Sequence, residues 1–287
     1  MRPVLSLGYL RMAVADLSAW KTFLIDFIGL MEVDGPTPDA VHLRLDDHAA
    51  RIVLTTAEQS QLLAAGYEVL NETHLDELAA AVSEFGIEVT RGSAQEAAER
   101  QVRALVKFTD PGGNPVELYC GPLRSYLPMQ SPVSRFITGD QGMGHIITNS
   151  TDVDRDFEFY TTVLGFEDRN TMELPHGRMY FMSPNPRQHT LGLHPAEAPG
   201  LMHLMFEAAT IDDVGAAMDR RDEHGIAPMQ SLGRHTNDDM VSFYVWSPDL
   251  QAVEFGYGAT TVHRPEPSYQ IAQGAYWGHK FTPPPAG

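Results

Sequence analysis

The chain has 287 residues, of which 43% are hydrophobic and 20% charged, a balance typical of a soluble globular protein with about two domains. Its formal charge of −18 disfavours binding to nucleic acid or anionic membranes, and no apolar run approaches the roughly 20 residues of a membrane span. The single cysteine, Cys120, cannot form an intramolecular disulfide, so the composition predicts a cytoplasmic protein without nucleic-acid or membrane partners.

An internal repeat covers nearly the whole chain. The segment GYLRMAVADLSAWKTFLIDFIGL, from Gly8, aligns without a gap with GHIITNSTDVDRDFEFYTTVLGF, which begins 136 residues later at Gly144. Further on, DPGGNPVELYCG matches SPDLQAVEFGYG, with Glu117 opposite Glu254 at an offset of 137. The pattern predicts a duplication, and internal repeats of this kind decide the architecture before any single motif does.

Each copy predicts the same order of elements. An apolar strand (LSLGYLRMAV or GMGHIITN) precedes an amphipathic helix with Asp16 or Asp152 as N-cap and Gly29 or Gly165 after its end. Strands follow, among them VHLRL, RIVLTT, RMYFMS and HTLGLHP, then a second helix over 75–85 or 211–218. The last strands are ALVKFTD and PVELYC in the first copy and SFYVWSP and AVEFGY in the second. Each copy is therefore predicted to contain two β-α-β-β-β modules, in an α+β fold.

The predicted domains follow from the repeat and from the proline-rich stretches. We expect an N-terminal domain over 1–121, a linker over 122–141 and a C-terminal domain over 142–265. The remaining residues, 266–287, are expected to form an extended tail over the surface, frayed at its end.

The functional residues should appear where the two copies differ. His145 stands opposite Tyr9, and His203 stands opposite Tyr67 at the offset of 136, whereas the carboxylate occurs in both copies. Two histidines and Glu254 on separate strands match the facial triad of non-haem Fe(II) enzymes. A strand histidine is also commonly a satisfied polar group, and Glu117 or Glu254 can equally form a structural salt bridge.

Three further features belong to the second copy. The stretch GRHTNDDMVSFYVWSP places several polar side chains before Tyr244, although a polar turn needs no function. Of His189 and His194, one can transfer protons near a metal while the other is a surface residue. Strand periodicity places Ile147 and Met205 on the faces of His145 and His203, either as an apolar wall for a ligand or as plain core packing.

The second copy resembles the type I extradiol ring-cleavage dioxygenases of the vicinal oxygen chelate superfamily. The resemblance covers nearly the whole chain, and its specific motif is GRHTNDDMVSFY, two further residues, SP, five further residues and EFG; GHIITN, NPRQHTLG and LMHLMFE support it. It is greatest for two-domain enzymes that act on 2,3-dihydroxybiphenyl and related bicyclic catechols. The fold implied is a duplicated two-domain vicinal oxygen chelate fold in which the modules of each domain form an open mixed-sheet barrel.

The resemblance implies a role for each site residue. Fe(II), with Mn²⁺ as an alternative, would be held by His145, His203 and Glu254, while the N-terminal copy would hold no metal. His189 would act as the acid–base residue, and Tyr244 would form a hydrogen bond with the catechol oxygen. His235 would lie near the substrate hydroxyl, and Asn237 and Asp238 would line or order the pocket. The expected reaction is extradiol cleavage of an aryl-substituted catechol with both atoms of O2, giving a 2-hydroxy-6-oxo-dienoate in aromatic catabolism, by a homo-oligomer.

Alternatives and departures stay open at this point. A redox-silent divalent-metal lyase or transferase, or a protein that sequesters a hydrophobic ligand, can use the same fold. Ser247, Leu250 and Asp239 depart from the family's usual residues, which concerns the substrate range rather than the ligands. The sequence does not choose between biphenyl, naphthalene, steroid and smaller catechols, or between iron and manganese.

Overall fold

A computed structural model describes residues 4–285, and its strands form two large mixed sheets. The first sheet has eight strands in the order β2-β3-β4-β1-β5-β8-β7-β6. Its strands are β1 (Val4–Val14), β2 (Met31–Val33), β3 (Ala40–Arg44), β4 (Ile52–Thr56), β5 (Gln61–Val69), β6 (Thr90–Arg91), β7 (Ala104–Thr109) and β8 (Pro115–Cys120). Its helices are α1 (Leu17–Lys21), which continues as a π-helical segment (Thr22–Ile28), α2 (Glu72–Glu84) and α3 (Ala94–Glu99).

The second sheet has ten strands in the order β17-β10-β11-β12-β9-β13-β16-β15-β14-β18. Its strands are β9 (His145–Ser150), β10 (Glu167–Leu174), β11 (Gly177–Ser183), β12 (Leu191–Pro195), β13 (Gly200–Ala208), β14 (Pro228–His235), β15 (Val241–Trp246), β16 (Ala252–Tyr257), β17 (Tyr269–Gln270) and β18 (Ala275–Trp277). Its helices are α4 (Val153–Thr162) and α5 (Ile211–Glu223), and a 3₁₀ turn (Gly139–Gln141) precedes β9. The same strand order recurs in the two sheets and confirms the predicted duplication in an α+β fold, while the exact domain boundaries stay a prediction.

The first helix of each copy begins where the sequence predicts. The side chains of Asp16 and Asp152 accept hydrogen bonds from the backbone N–H of Ala19 and Arg155, as N-caps do. Gly29 follows the first helix with φ +94°, a left-handed conformation that favours glycine. These caps therefore keep the offset of 136 through the first helix of both copies.

The offset of 136 is wrong beyond that helix. Asn71 caps α2 and Thr210 caps α5, 139 residues apart. The cause is a longer hairpin in the second copy: Met31 pairs with Arg44, 13 residues on, whereas Glu167 pairs with Ser183, 16 residues on. The second helices begin at 72 and 211, so the second helix of the first copy starts three residues before the predicted residue 75.

One hydrophobic cluster joins the two sheets. The first helix of each copy packs against the other copy: Phe27 lies 6.4 Å from Phe243, and Phe159 lies 5.7 Å from Phe108, between ring centroids. Across the same interface the indole N–H of Trp20 donates to Asp249 at 2.6 Å. The helices thus hold the two sheets in a fixed relation.

The predicted tail is more ordered than expected. Within 266–285, the part of the tail that the structure describes, β17 pairs with β10 and β18 pairs with β14, so the tail extends the second sheet at both edges. Ile271, which lies in the tail between these two strands, is buried. Among residues 4–285, no helix is both long and apolar enough to cross a membrane.

Candidate metal centre and cavity

Three buried side chains meet at the centre of the second sheet. His145 begins β9, His203 lies in β13 and Glu254 in β16, and these three strands are adjacent. The two Nε2 atoms lie 3.0 Å apart, and Glu254 Oε2 lies 3.4 Å from His145 Nε2 and 3.3 Å from His203 Nε2. Such spacings suit three donors that share one cation about 2.0–2.2 Å from each of them.

Burial keeps this donor set ready for a metal. It lowers the pKa of His145 to about 3, so the ring is neutral and its Nε2 can bind a metal in place of the hydrogen bond to Glu254. Burial raises the pKa of Glu254, but hydrogen bonds from His145, His203 and His235 outweigh it and hold that pKa well below its usual range. Two imidazole nitrogens and one carboxylate fit a divalent transition metal with open coordination positions.

A cavity of about 110 Å³ opens beside the three donors. Its lining residues are His145, Ile147, Met172, Phe181, His189, His235, Asn237, Asp238, Tyr244, Glu254, Ile271 and Gly274. The volume is comparable with the ~150 Å³ apolar cavity that binds benzene. The space next to the donors is therefore that of one aromatic ring.

Met205 does not line this cavity, contrary to the expectation from strand periodicity. It pairs with His145 on one side and Glu254 on the other, so all three side chains leave the same face of the sheet. The side chains of His145 and Glu254 approach to 3.4 Å and close over it. Met205 is fully buried beneath the donors, while Ile147 reaches the wall as expected.

His189 faces the cavity as a neutral ring. Its centroid lies 4.0 Å from that of His145, and burial holds its pKa well below the usual range. Nδ1 lies 2.6 Å from the amide oxygen of Gln188, whose amide nitrogen donates to Asn170. The Gln188 oxygen accepts only, which assigns the His189 proton to Nδ1 and leaves the lone pair of Nε2.

His235 and Tyr244 form a second polar group on the opposite wall. His235 Nε2 lies 2.8 Å from the Tyr244 hydroxyl and 3.2 Å from Glu254 Oε1. Burial lowers the pKa of His235, but the hydrogen bond and charge of Glu254 prevail and raise it to about 9. Burial raises the pKa of Asp238, the next acidic group in the cavity, to about 6.

His194 lies away from the cavity, half-buried on the outer part of β12. Its Nδ1 bonds the Asn149 side-chain oxygen at 3.0 Å. Of the two histidines in this segment, only His189 therefore lies beside the three donors.

The first copy fills the equivalent position with its own side chains. Gly66 pairs with Glu117 as Met205 pairs with Glu254, so the counterpart of His203 is Ala64 and not Tyr67. Tyr9, the counterpart of His145, donates a hydrogen bond to Glu117 at 2.5 Å, and Arg100 contacts the same carboxylate at 2.7 Å. A guanidinium thus neutralises the carboxylate of the first copy, which is the structural salt bridge considered from the sequence.

Several cavity residues were missed by sequence reasoning. They are Met172, Phe181, Ile271 and Gly274 in the lining, and Gln188 behind His189. Gln188 could have been found, because it directly precedes His189 in the motif NPRQHTLG. Ile271 and Gly274 could not, because the tail lies outside the repeat.

Comparison with known proteins places this geometry in a family. Residues 7–56 match the family model "Dihydroxybiphenyl dioxygenase BphC D1", and residues 142–255 match "Glyoxalase/Bleomycin resistance protein/Dioxygenase superfamily". A biphenyl-2,3-diol 1,2-dioxygenase of Metapseudomonas furukawaii is 40% identical over 285 residues, 96% of this chain and 93% of the relative. This chain belongs to the type I extradiol dioxygenases of the vicinal oxygen chelate superfamily.

The dioxygenase is similar to further members of that family. An iron-dependent extradiol dioxygenase of Rhodococcus jostii (strain RHA1) is 36% identical over 96% of this chain and 97% of the relative. Among solved structures, a halotolerant catechol dioxygenase, BphC, is 30% identical with a TM-score of 0.93, covering 98% of this chain and 96% of that one. Both similarities extend over the two copies, including the one that carries Arg100 at its centre.

Proposed function

We propose that this dioxygenase carries out extradiol cleavage of a catechol that has an aryl or other apolar substituent, using Fe²⁺ held by His145, His203 and Glu254. The observation that carries the proposal is the cavity, which is lined by two of the three metal donors, a neutral histidine and a histidine–tyrosine pair and has the volume of one aromatic ring. When bound, Fe²⁺ supplies a redox-active centre where the diol and O2 react side by side. Mn²⁺ is the alternative metal, since it accepts the same ligands.

The residues around the cavity divide the proton chemistry between them. The Nε2 lone pair of His189 accepts a proton from the diol and returns it later, a role for which a neutral imidazole is suited. The Tyr244 hydroxyl, held by His235, hydrogen-bonds the diol oxygen on the other wall. Asn237 and Asp238 close the pocket, and Ile147 forms its apolar side. Both atoms of O2 enter the product, a 2-hydroxy-6-oxo-dienoate.

Oxygen uptake tests the proposal directly. Anaerobically purified protein loaded with Fe²⁺ should consume one O2 per 2,3-dihydroxybiphenyl and form a yellow product, with plain catechol as the parallel substrate. His145→Ala should abolish uptake together with iron binding, whereas His189→Ala should keep the iron and lower kcat by about 10²–10⁴-fold. Tight metal binding without uptake of O2 by any diol would favour a redox-silent lyase or transferase instead.

We infer that the enzyme is a homo-oligomer. Leu123, Tyr126 and Leu127 in the linker are 58%, 94% and 65% exposed, an arrangement that favours contact with a second copy. Light scattering of the wild type should give a multiple of 31.7 kDa, and Tyr126→Arg combined with Leu127→Glu should shift it toward one chain.

We also infer a cytoplasmic location. A single cysteine, buried as a free thiol, suits a reducing compartment. Fractionation of the producing cell, with the protein followed by antibody, tests this inference.

A further inference from the structure

A segment near the C-terminus, residues 269–282, runs along one side of the proposed active site; we name it the C-terminal strap. Its first strand, β17, pairs with β10, and β18 pairs with β14. Beyond β18, Phe281 forms an isolated antiparallel β-bridge with Gln230, and Trp246 donates its indole N–H to the carbonyl of Thr282. The strap is therefore anchored on both sides of the cavity.

The strap contacts His235 at the wall of the cavity. The carbonyl oxygen of Gly274 lies 3.0 Å from His235 Nδ1 and accepts its proton, while the neighbouring Thr236 hydroxyl donates to the carbonyl of Gln273. Because a carbonyl only accepts, this contact places a proton on Nδ1. Nε2 is thereby the atom directed at Tyr244 and Glu254.

His279 completes the contact from the other end of the strap. Its ring centroid lies 4.2 Å from that of His235 and 5.4 Å from that of Tyr244, perpendicular to the tyrosine ring. Its Nε2 donates to the carbonyl of Ser242 at 3.1 Å, which ties the ring to β15. One side chain thus touches both members of the pair and the strand that carries Tyr244.

Two glycines permit this close approach. A Cβ on Gly233 would lie 2.4 Å from the His279 ring, and a Cβ on Gly278 would lie 2.0 Å from the carbonyl oxygen of Leu232. Gly278 also has φ +74°, which other residues rarely adopt. Both segments, β14 at Gly233 and the strap at Gly278, therefore lack a side chain at the point where they cross.

We propose that His279 is a positioning residue of the ring-cleavage reaction, acting through His235 and Tyr244. The inference rests on the proposed function, since it assigns His235 and Tyr244 to the diol. His279 touches none of the three metal donors, so its loss should leave the metal in place. What it sets is the orientation of the two side chains, and small displacements of such groups slow the reaction strongly.

Steady-state kinetics of His279→Ala and Phe281→Ala test the proposal. His279→Ala should lower kcat about 10- to 100-fold while the iron content and the KM for 2,3-dihydroxybiphenyl stay within about threefold. Phe281→Ala is the matched control, because Phe281 sits on the same strap but packs on Trp246, away from the cavity. Unchanged kcat in His279→Ala, or an equal loss in both variants, would show that the strap is merely structural.

A second measurement does not depend on turnover. In the full chain labelled with ¹⁵N-histidine and loaded with diamagnetic Zn²⁺, His235, assigned through its loss in His235→Asn, should show a sharp Nδ1–H signal. His279→Ala should broaden that signal, and an identical signal in both proteins would overturn the proposal. If the wild type cleaves no diol, the proposed function fails while this spectrum still decides whether His279 positions His235.

Discussion

Leu250 occupies a conformation that its residue type does not favour. It lies in the turn between β15 and β16 with φ +62°, and its side chain is 49% exposed. The first copy has Gly113 at the corresponding position, with φ +97°. The departure at Leu250, noted in the sequence, is thus a site of backbone strain.

Replacing this residue should stabilise the protein. Leu250→Gly is expected to raise the free energy of unfolding by about 1 kcal/mol, because a left-handed leucine costs about 1–2 kcal/mol and glycine loses part of that gain in chain entropy. Thermal unfolding checks it, with Leu250→Ala as the control, since alanine keeps the strain. An equal rise in both variants would attribute the effect to the exposed leucine side chain instead.

Arg100 is the cation of the first copy, and its removal should destabilise the fold. Arg100→Met removes the guanidinium that hydrogen-bonds Glu117 and leaves Tyr9 as its hydrogen-bond partner, so we expect a loss of about 3–5 kcal/mol in denaturant unfolding. The double variant Arg100→Met, Glu117→Gln should recover most of it, because no buried charge remains. A single variant as stable as the wild type would show that the ion pair contributes nothing.

At this scale the sequence predicted the residues that differ between the copies and missed those that compensate for them. His145, His203 and Glu254 appeared as histidines against tyrosines beside a shared carboxylate, and the structure brings them together. Arg100 was not found, because its partner lies on another element and an arginine in a polar segment reads as exposed. Tyr67 was matched wrongly, because a shift of three residues in the hairpin changes which side chain faces the site.

The two copies differ most in the segment that precedes their last antiparallel strand pair, β7–β8 in the first copy and β15–β16 in the second. In the first copy only Thr90–Arg91 pair with β7, and a capping box of Ser93 and Glu96 then starts α3, which leads to Arg100. In the second copy β14 continues to pair with β15 through Arg234 and so carries His235 to the cavity. A helix in one copy and a longer strand in the other therefore decide which half keeps an open site.

Element types and order followed well from periodicity and caps, but the strap did not. The two β-α-β-β-β modules repeat, so each half supports the interpretation of the other. The strap has no counterpart in the repeat, and its short strands are stabilised by the sheet edges they join rather than by their own pattern. Its place at the cavity is a tertiary property.

Ile271 in the strap should influence the choice of substrate. It is buried in the cavity wall with Phe181, so Ile271→Ala enlarges the space beyond the first aromatic ring. If Ile271 lies on the side of the cavity that receives the substituent, kcat/KM for 2,3-dihydroxybiphenyl relative to catechol should rise up to about tenfold, since a few methylene groups in a pocket are worth that much. Val262→Ala, equally buried but outside the lining, should leave the ratio unchanged; a shift of the same size there would refute the assignment.

At the scale of the whole molecule, two buried carboxyl groups lie where the copies meet. Asp110, in the turn between β7 and β8, accepts a hydrogen bond from the hydroxyl of Tyr160 in α4 at 3.0 Å. Asp156, also in α4, accepts one from the backbone of Gly112 at 2.8 Å. Burial raises the pKa of Asp110 to about 6, and burial together with the charge of Asp110 raises that of Asp156 to about 7.

These shifts make the stability of the interface depend on pH. Because the folded pKa values exceed those of the unfolded chain, near 3.8, the folded state binds more protons between about pH 4 and 7. The pair therefore favours folding at pH 4, and this stabilisation is lost as the pH rises through 7. Asp156→Asn, which keeps the oxygen that accepts from Gly112, should exceed the wild type by about 1–2 kcal/mol at pH 5 and by roughly 3–5 kcal/mol at pH 8.

The free energy of unfolding of both proteins at pH 5 and pH 8 checks this, since the titration of the metal donors is common to both and cancels in the difference. Asp213→Asn is a control of opposite sign. Burial raises the pKa of Asp213, but hydrogen bonds from Ser134 and Thr210 outweigh it and lower that pKa, so its charged form stabilises the fold and the variant should be weaker at pH 8. If Asp156→Asn also lost stability at pH 8, the charged form of Asp156 would stabilise the fold, and the interface would lower the pKa of Asp156 rather than raise it.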